Sequence, residues 1–246
     1  MKKIASWILI ITGVLIIGIA IYQEVSTFYI QKKMIEEYNM YVNTLKSMEV
    51  SEISSETMKA EQEYDSGTET KDPDILIQET VNDESDNKEE QVTKSESADN
   101  EKIKSDYEKF FENKVISGLV EIPRLKISAA ILEGTDDSAL KYAVGHYPGL
   151  GGIGEKGNYV LLGHRNYVYG HFFKNLDKLQ VGDEVIIQKD TETYTYVVYE
   201  SFVVSPEEVW VLEQTQDAII TLITCTPVGT YTDRLIVRGA LKPQGV

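Results

Sequence analysis

A chain of 246 residues with one cysteine, three histidines and two tryptophans holds little of the chemistry on which most disulfide-rich and metal-binding proteins depend. Cys225 has no internal partner, so its thiol is either a buried apolar group or a reagent. His146, His164 and His171 are scattered, and neither Cys-x-x-Cys nor His-Glu-x-x-His spacing occurs. The pattern therefore speaks against a metal site and implies no cofactor. Basic residues are also scarce, 24 Lys+Arg against 40 Asp+Glu, for a net charge of -16. With no basic stripe, nucleic-acid binding is disfavoured.

Charge is absent altogether from Ile4 to Tyr22. At 1.5 Å per residue this run spans roughly 28 Å, close to a hydrocarbon core of about 30 Å. It is expected to be an uncleaved transmembrane anchor. Gly18 and Ala20 are spaced for a cleavage site, but the run exceeds the usual signal-peptide core. Lys2 and Lys3 lie before the span, so residues 1–3 are expected in the cytoplasm and the rest of the chain outside.

The acidic excess sits mostly in one stretch. Glu49 to Glu112 carries 21 acidic and 7 basic residues, a net of -14, whereas Val115 to Val246 carries 16 and 11, a net of -5. Residues 23–48 keep a loosely helical spacing of apolar side chains and read as a juxtamembrane helix. Residues 49–114, rich in Ser, Glu, Thr, Asp and Lys, have too few large apolar groups to offset their ordering entropy. They read as a disordered acidic linker. Such a coil would reach roughly 45 Å and lift the carboxy-terminal half of the chain away from the bilayer.

From residue 115 to 246 the pattern changes to short strands with turn residues between them. Strands are predicted at 118–122, 127–132, 158–163, 184–188, 194–204, 218–224 and 234–240. A helical turn is predicted at 136–142, with Asp136 or Asp137 as its cap, and a short helix at 172–179. Seven or eight strands in this length make a mainly β domain, closed or nearly closed into a barrel that leaves no exposed edge.

The strand ending Ile223-Thr224-Cys225-Thr226 stops at Pro227, which has no amide to donate, so the thiol arrives at the rim of a sheet. Nine residues on, Arg234 opens the next strand, and His164 ends another apolar strand within Gly163-His164-Arg165. These three elements, in this order, resemble the sortase signature over residues 115 to 242. The resemblance implies a closed eight-stranded barrel with short helices, and a cysteine transpeptidase whose catalytic residues are Cys225, His164 and Arg234. In that chemistry the thiolate attacks a peptide carbonyl and forms a thioester. His164 supplies a proton to the leaving amine and later accepts one from the incoming amine. Arg234 donates charge-assisted hydrogen bonds to substrate carbonyls or the oxyanion, with help from the Thr226 amide.

The implied substrates are secreted proteins with a carboxy-terminal sorting signal of the Leu-Pro-x-Thr-Gly type, cut between Thr and Gly. The implied acceptor is an amine of a peptidoglycan precursor. An apolar groove for the Leu-Pro portion is expected along 202–212, with Val204, Pro206, Val209 and Trp210 as lining. His146 matches a structural turn of the family, and His171 reads as a packing residue. Arg238 lies an even number of residues past Arg234, hence on the same strand face, and is expected to pair with an acid. Asp233 is a candidate to orient Arg234. Within the family the chain looks most like class D, then class A. Asp72-Pro73 is followed by Asp74 rather than an aromatic residue, and no second apolar span follows the barrel, which disfavours the pilin-polymerising class. Outside the family, an L,D-transpeptidase lacks its Ser-x-Gly-Cys core here, and a non-catalytic wall-binding domain is the other alternative.

Overall fold

The computed structural model describes residues 2–64, 114–165 and 172–243. Eight strands among them form a closed barrel. They are β1 (Ile116–Ile122), β2 (Ile127–Glu133), β3 (Val144–His146), β4 (Gly157–Leu162), β5 (Glu184–Lys189), β6 (Glu192–Val204), β7 (Ala218–Thr226) and β8 (Asp233–Leu241). Around the barrel the order is β1-β2-β3-β4-β7-β8-β6-β5. The β2–β3 and β4–β7 pairs are parallel and the rest antiparallel.

Period-two alternation decides which side chains fill the barrel. Val120, Ile131, Tyr159, Ile220, Leu222 and Val237 meet inside it. β7 reads as a continuous apolar run because its other face is covered as well: Ile223 packs outside the barrel with Val160, Val211 and Ile236. That outer layer comes from the segment between β6 and β7, which contains a 3-10 turn at Val209–Leu212.

The short helix α2 (Asp137–Tyr142) begins where its cap predicts. The Asp136 carboxylate accepts from the amides of Ser138 and Ala139, both at 3.1 Å. Lys114 at 2.5 Å, the Ser138 hydroxyl and the Ala139 amide hold its carboxyl well below the usual range. The helix expected over 172–179 is instead a set of turns ending in a 3-10 turn at Leu176–Lys178. β3, three residues long, was not anticipated as a strand.

One long helix, α1 (Lys2–Tyr64), carries the apolar run and continues well beyond it. Neither proline nor glycine occurs between Gly18 and Gly67, so nothing in the sequence breaks the helix. Residues 49–64, assigned to the linker on composition, are therefore helical. The rest of the expected linker, from 65 to 113, lies outside the described residues. Between Trp7 and Tyr22 the apolar side chains are exposed, and the helix is long and apolar enough to cross a membrane.

Further along, α1 packs against the barrel. Ile30, Met34 and Tyr38, spaced four apart, are buried with Leu119, Ala130, Leu132, Ala139 and Ala143. Burying an Ile or Met contributes about 1.5–3 kcal/mol. Polar contacts fix the register: Gln31 Oε1 accepts from the Ala130 amide at 3.2 Å, and its Nε2 donates to the Tyr142 carbonyl. The Tyr38 hydroxyl accepts from the Asp190 amide at 2.7 Å. The barrel is thus seated on the helix, in contrast to the expectation of a domain lifted away on a coil.

Candidate active site

Strand pairing brings the three signature residues to one row. β4 and β7 run parallel with Leu162 opposite Ile223. The pairing persists beyond β4, since the Gly163 amide donates to the Ile223 carbonyl at 3.1 Å and the Thr224 hydroxyl donates to the Gly163 carbonyl at 2.7 Å. One residue further, His164 stands level with Cys225. On the other side of β7, Cys225 is directly opposite Arg234. Neighbouring strands are about 4.8 Å apart, so the backbone of Cys225 lies one strand spacing from that of Arg234, and about one from the segment that carries His164.

All three also share a face. Leu162, Ile223 and Ile236, each two residues from one member of the row, pack together outside the barrel. His164, Cys225 and Arg234 therefore point outward, away from the barrel interior.

Gly163 is needed at its position. A Cβ there would lie 2.7 Å from the ring of Phe173, which is fully buried, and the Phe173 amide donates to the His164 carbonyl at 3.3 Å. Gly163→Ala is expected to destabilise the fold by about 1–3 kcal/mol through overpacking. Thermal unfolding checks this, and an unchanged midpoint would contradict it.

His164 is half-buried, and burial pushes its pKa below the usual 6.5 while the Asp137 carboxylate opposes the shift. The neutral imidazole therefore predominates at pH 7. With its folded value under the unfolded one, the native chain binds fewer protons here, so stability falls as pH drops through 6.5 toward the folded value. NMR titration of the ring is expected to give a midpoint below 6.5, and Asp137→Asn should lower it further. A midpoint above 6.5, or an upward move in the variant, would be inconsistent with this environment.

Arg234 donates through one terminal nitrogen to the backbone carbonyls of Asp233 at 3.0 Å and Tyr231 at 3.4 Å. Asp233 thus orients it through the main chain, and its carboxylate instead accepts from Thr232. Arg238 meets Glu200 at 3.3 Å and donates to the Val211 carbonyl at 3.3 Å. The guanidinium also lies 5.2 Å from the Trp210 ring centre and 5.5 Å from that of Phe202.

A pocket of about 190 Å³ adjoins the row. Of the expected lining, Val204, Pro206 and Val209 contribute to it, together with Tyr147, Leu162, Ile223, Ile236 and Arg234. Its wall is mostly apolar, with Arg234, Ser205 and Glu208 as polar members. Trp210 does not line it. That ring stacks on Phe202, with centres 5.5 Å apart, and donates to Glu208. Thr226 is also outside the pocket, its hydroxyl accepting from Arg165 at 2.7 Å.

Arg165 entered the sequence signature only as a neighbour of His164. The residue is 7% exposed, and its guanidinium also meets Asp177 at 2.9 Å and the Lys174 carbonyl at 3.3 Å. It ties the histidine's loop to the residue after the cysteine. Asn158, fully buried, positions the pocket wall by donating to the carbonyls of Val211 at 2.9 Å and Glu213 at 3.2 Å. His146 lies in the barrel wall, 2.9 Å from Glu133 and stacked on Tyr159. His171 lies outside the described residues. Among the described residues no cluster of three His, Cys, Asp or Glu is arranged to hold a metal ion.

The profile of the sortase domain matches residues 120–242, half of the chain and nearly all of the barrel. The chain belongs to the sortase family, whose members are cysteine transpeptidases. It is 32% identical over 127 residues to sortase D of Bacillus subtilis strain 168, covering 50% of this chain and 62% of that protein. Its fold is similar to sortase A of Corynebacterium diphtheriae in a lid-mutant form, at TM-score 0.51 and 29% identity over 56% of this chain and 76% of the other. Sortase C1 of Streptococcus agalactiae is similar at TM-score 0.50 and 33% identity, over 53% and 69%. The chain spans somewhat under two thirds of the length of that sortase D.

Proposed function

We propose that this protein is a membrane-anchored sortase that joins secreted proteins to the cell wall. Cys225 attacks the carbonyl between Thr and Gly of a Leu-Pro-x-Thr-Gly-like sorting signal, forming a thioester and releasing the glycine side as an amine. His164 takes the thiol proton as Cys225 attacks and gives it to the leaving amine, then takes one from the amine of a peptidoglycan precursor as that amine attacks the thioester and returns it to the departing Cys225 sulfur. Arg234 steadies the carbonyl oxygen as negative charge develops. The apolar pocket beside the row suits the Leu-Pro portion of the signal, and a membrane-bound enzyme meets membrane-retained substrates at raised effective concentration. With residues 4–22 as the span and Lys2 and Lys3 ahead of it, the catalytic barrel works outside the cell.

The observation that supports this reading is strand register: Arg234 is opposite Cys225 across β7 and β8, and the β4–β7 pairing ends two residues before His164 and Cys225. Mass spectrometry of the enzyme mixed with a Leu-Pro-x-Thr-Gly peptide tests it. The expected product is a Cys225 thioester carrying the acyl half, with the glycine portion lost. No adduct across a broad panel of sorting peptides would refute it. Attachment of single proteins is the expected outcome. Covalent substrate multimers in the same assay would favour polymerisation instead.

A further inference from the structure

We infer that Arg165 is a positioning residue that sets the spacing between His164 and Cys225 by holding the Thr226 hydroxyl. The inference rests on the reading of Cys225 as the nucleophile and His164 as its proton-transfer partner. The place where main-chain pairing stops carries it.

The β4–β7 ladder ends with Leu162 opposite Ile223, and one further bond runs from the Gly163 amide to the Ile223 carbonyl. Past Gly163, no main-chain hydrogen bond joins these two segments among the described residues. His164 and Cys225 therefore lie just beyond the pairing that brings their strands together. Strand ends without ladder bonds open at little cost, so something else has to hold the two side chains at a fixed separation.

Two side-chain bonds take over where the ladder stops. The Thr224 hydroxyl donates to the Gly163 carbonyl at 2.7 Å, one residue before His164 and Cys225. The Arg165 guanidinium donates to the Thr226 hydroxyl, also at 2.7 Å, one residue after them. A bond at Gly163 alone would leave the histidine free to pivot about it, and the second bond removes that freedom. Thr224 and Thr226 alternate with Cys225 and share the inner face of β7 with Leu222. Both bonds thus form behind the reacting groups and leave their outer face open to a peptide.

Arg165 is itself held on every edge of its plane. One terminal nitrogen meets Thr226, the other meets Asp177 at 2.9 Å, and Nε donates to the Lys174 carbonyl at 3.3 Å. With the residue 7% exposed, rotating the fork would strand a buried charge without partners. The same 173–177 segment supports the histidine directly, since the Phe173 amide donates to the His164 carbonyl at 3.3 Å. A shift of about 1 Å in the imidazole can cost up to about 10²-fold in rate, so the bracket acts on kcat.

The test uses the full chain in detergent micelles, with a quenched Leu-Pro-x-Thr-Gly peptide for kinetics and NMR of the His164 ring. Thr226→Val keeps the side-chain shape and removes the acceptor. It should lower kcat by about tenfold while KM stays within about twofold. Thr226→Ser restores the hydroxyl and should return kcat to within about threefold of wild type. Arg165→Lys should lose kcat to a similar extent as Thr226→Val, and the double variant should lose no more than the larger single loss, because both changes cut one bond. Asp177→Asn leaves an acceptor for the guanidinium, so it should lower the thermal midpoint yet keep kcat within about twofold. The ring supplies a readout that needs no substrate. Burial holds the His164 midpoint below 6.5, so a loosened loop should move it up toward 6.5 in Thr226→Val and leave it in place in Asp177→Asn.

A Thr226→Val enzyme with wild-type kcat and an unmoved ring midpoint would overturn the inference. So would a Thr226→Ser variant as impaired as Thr226→Val, or losses that multiply in the double variant. Equal loss of kcat in Asp177→Asn would assign Arg165 to the stability of the 172–179 segment instead. If wild type turned over no sorting peptide, the sortase reading would fail, and the ring midpoint would still decide whether the bracket places the imidazole.

Discussion

Cys225→Ala is expected to form no thioester and to lose transpeptidation by at least about 10⁴-fold, the scale seen when a covalent nucleophile is removed. In the proposed chemistry sulfur is the attacking group and the histidine serves in proton transfer, while the guanidinium stays protonated at any relevant pH. The loss should fall on kcat rather than on binding. The apolar pocket lined by Val204, Pro206 and Ile223 is unaffected by removing one sulfur, so a sorting peptide should still bind the variant in fluorescence anisotropy. A variant retaining both binding and its cellular role would favour a wall-binding domain without catalysis. One that retained turnover would place the nucleophile elsewhere.

Arg234→Lys is expected to reduce kcat/KM by about 10²–10³-fold, equivalent to about 3–4 kcal/mol of transition-state stabilisation. Lysine keeps the charge but loses the planar fork. In this site Arg234 anchors one terminal nitrogen on the carbonyls of Asp233 and Tyr231, and a lysine ammonium cannot hold that anchor and span to a substrate oxygen at the same time. Arg238→Lys is the internal control. Its guanidinium is committed to Glu200 and the Val211 carbonyl, so its replacement should loosen the pocket wall and raise KM with far less effect on kcat. Steady-state kinetics with a quenched sorting peptide separate the two. Equal losses in both variants would mean that neither arginine is specifically placed for the reacting carbonyl.

Much of the barrel was legible because its strands obey one rule. Short runs rich in apolar and β-branched residues between turn residues marked all the strands but β3, and β4 and β7 are buried on both faces. β3 escaped because Val144-Gly145-His146 is too short to show a period. The 172–179 segment carries helix-compatible residues, yet Gly163 leaves room for Phe173 to turn inward, and turns replace the helix. Composition misled at 49–64. Acidic and hydroxyl side chains suggested a linker, but with no glycine or proline to interrupt it the helix continues.

The candidate site divides in the same way. Cys225, His164 and Arg234 were legible as strand-end residues, and Ile223 and Ile236 could have been found two residues from Cys225 and Arg234 on the same faces. Trp210 was expected in the pocket on the strength of its neighbours. Its partners, Phe202 and Arg238, come from β6 and β8, and local sequence does not encode that pairing. Arg165 is similar, since its burial depends on Asp177 and Thr226, far away in the chain. The four-residue spacing of Ile30, Met34 and Tyr38 was visible as a helical stripe, but the surface that covers it is made by β1, β2 and α2.

The proposed transpeptidation requires one carbonyl to be reached at once by sulfur, imidazole and guanidinium. The most direct measurement is a crystal structure of the enzyme with a sorting-peptide analogue trapped on Cys225. The His164 ring and the Arg234 guanidinium are each expected within about 2.6–3.2 Å of the trapped acyl group or its leaving position, with the Leu-Pro portion in the pocket between Val204 and Ile223. An adduct whose carbonyl points away from Arg234, or whose leaving position lies out of reach of His164, would rule out that convergence.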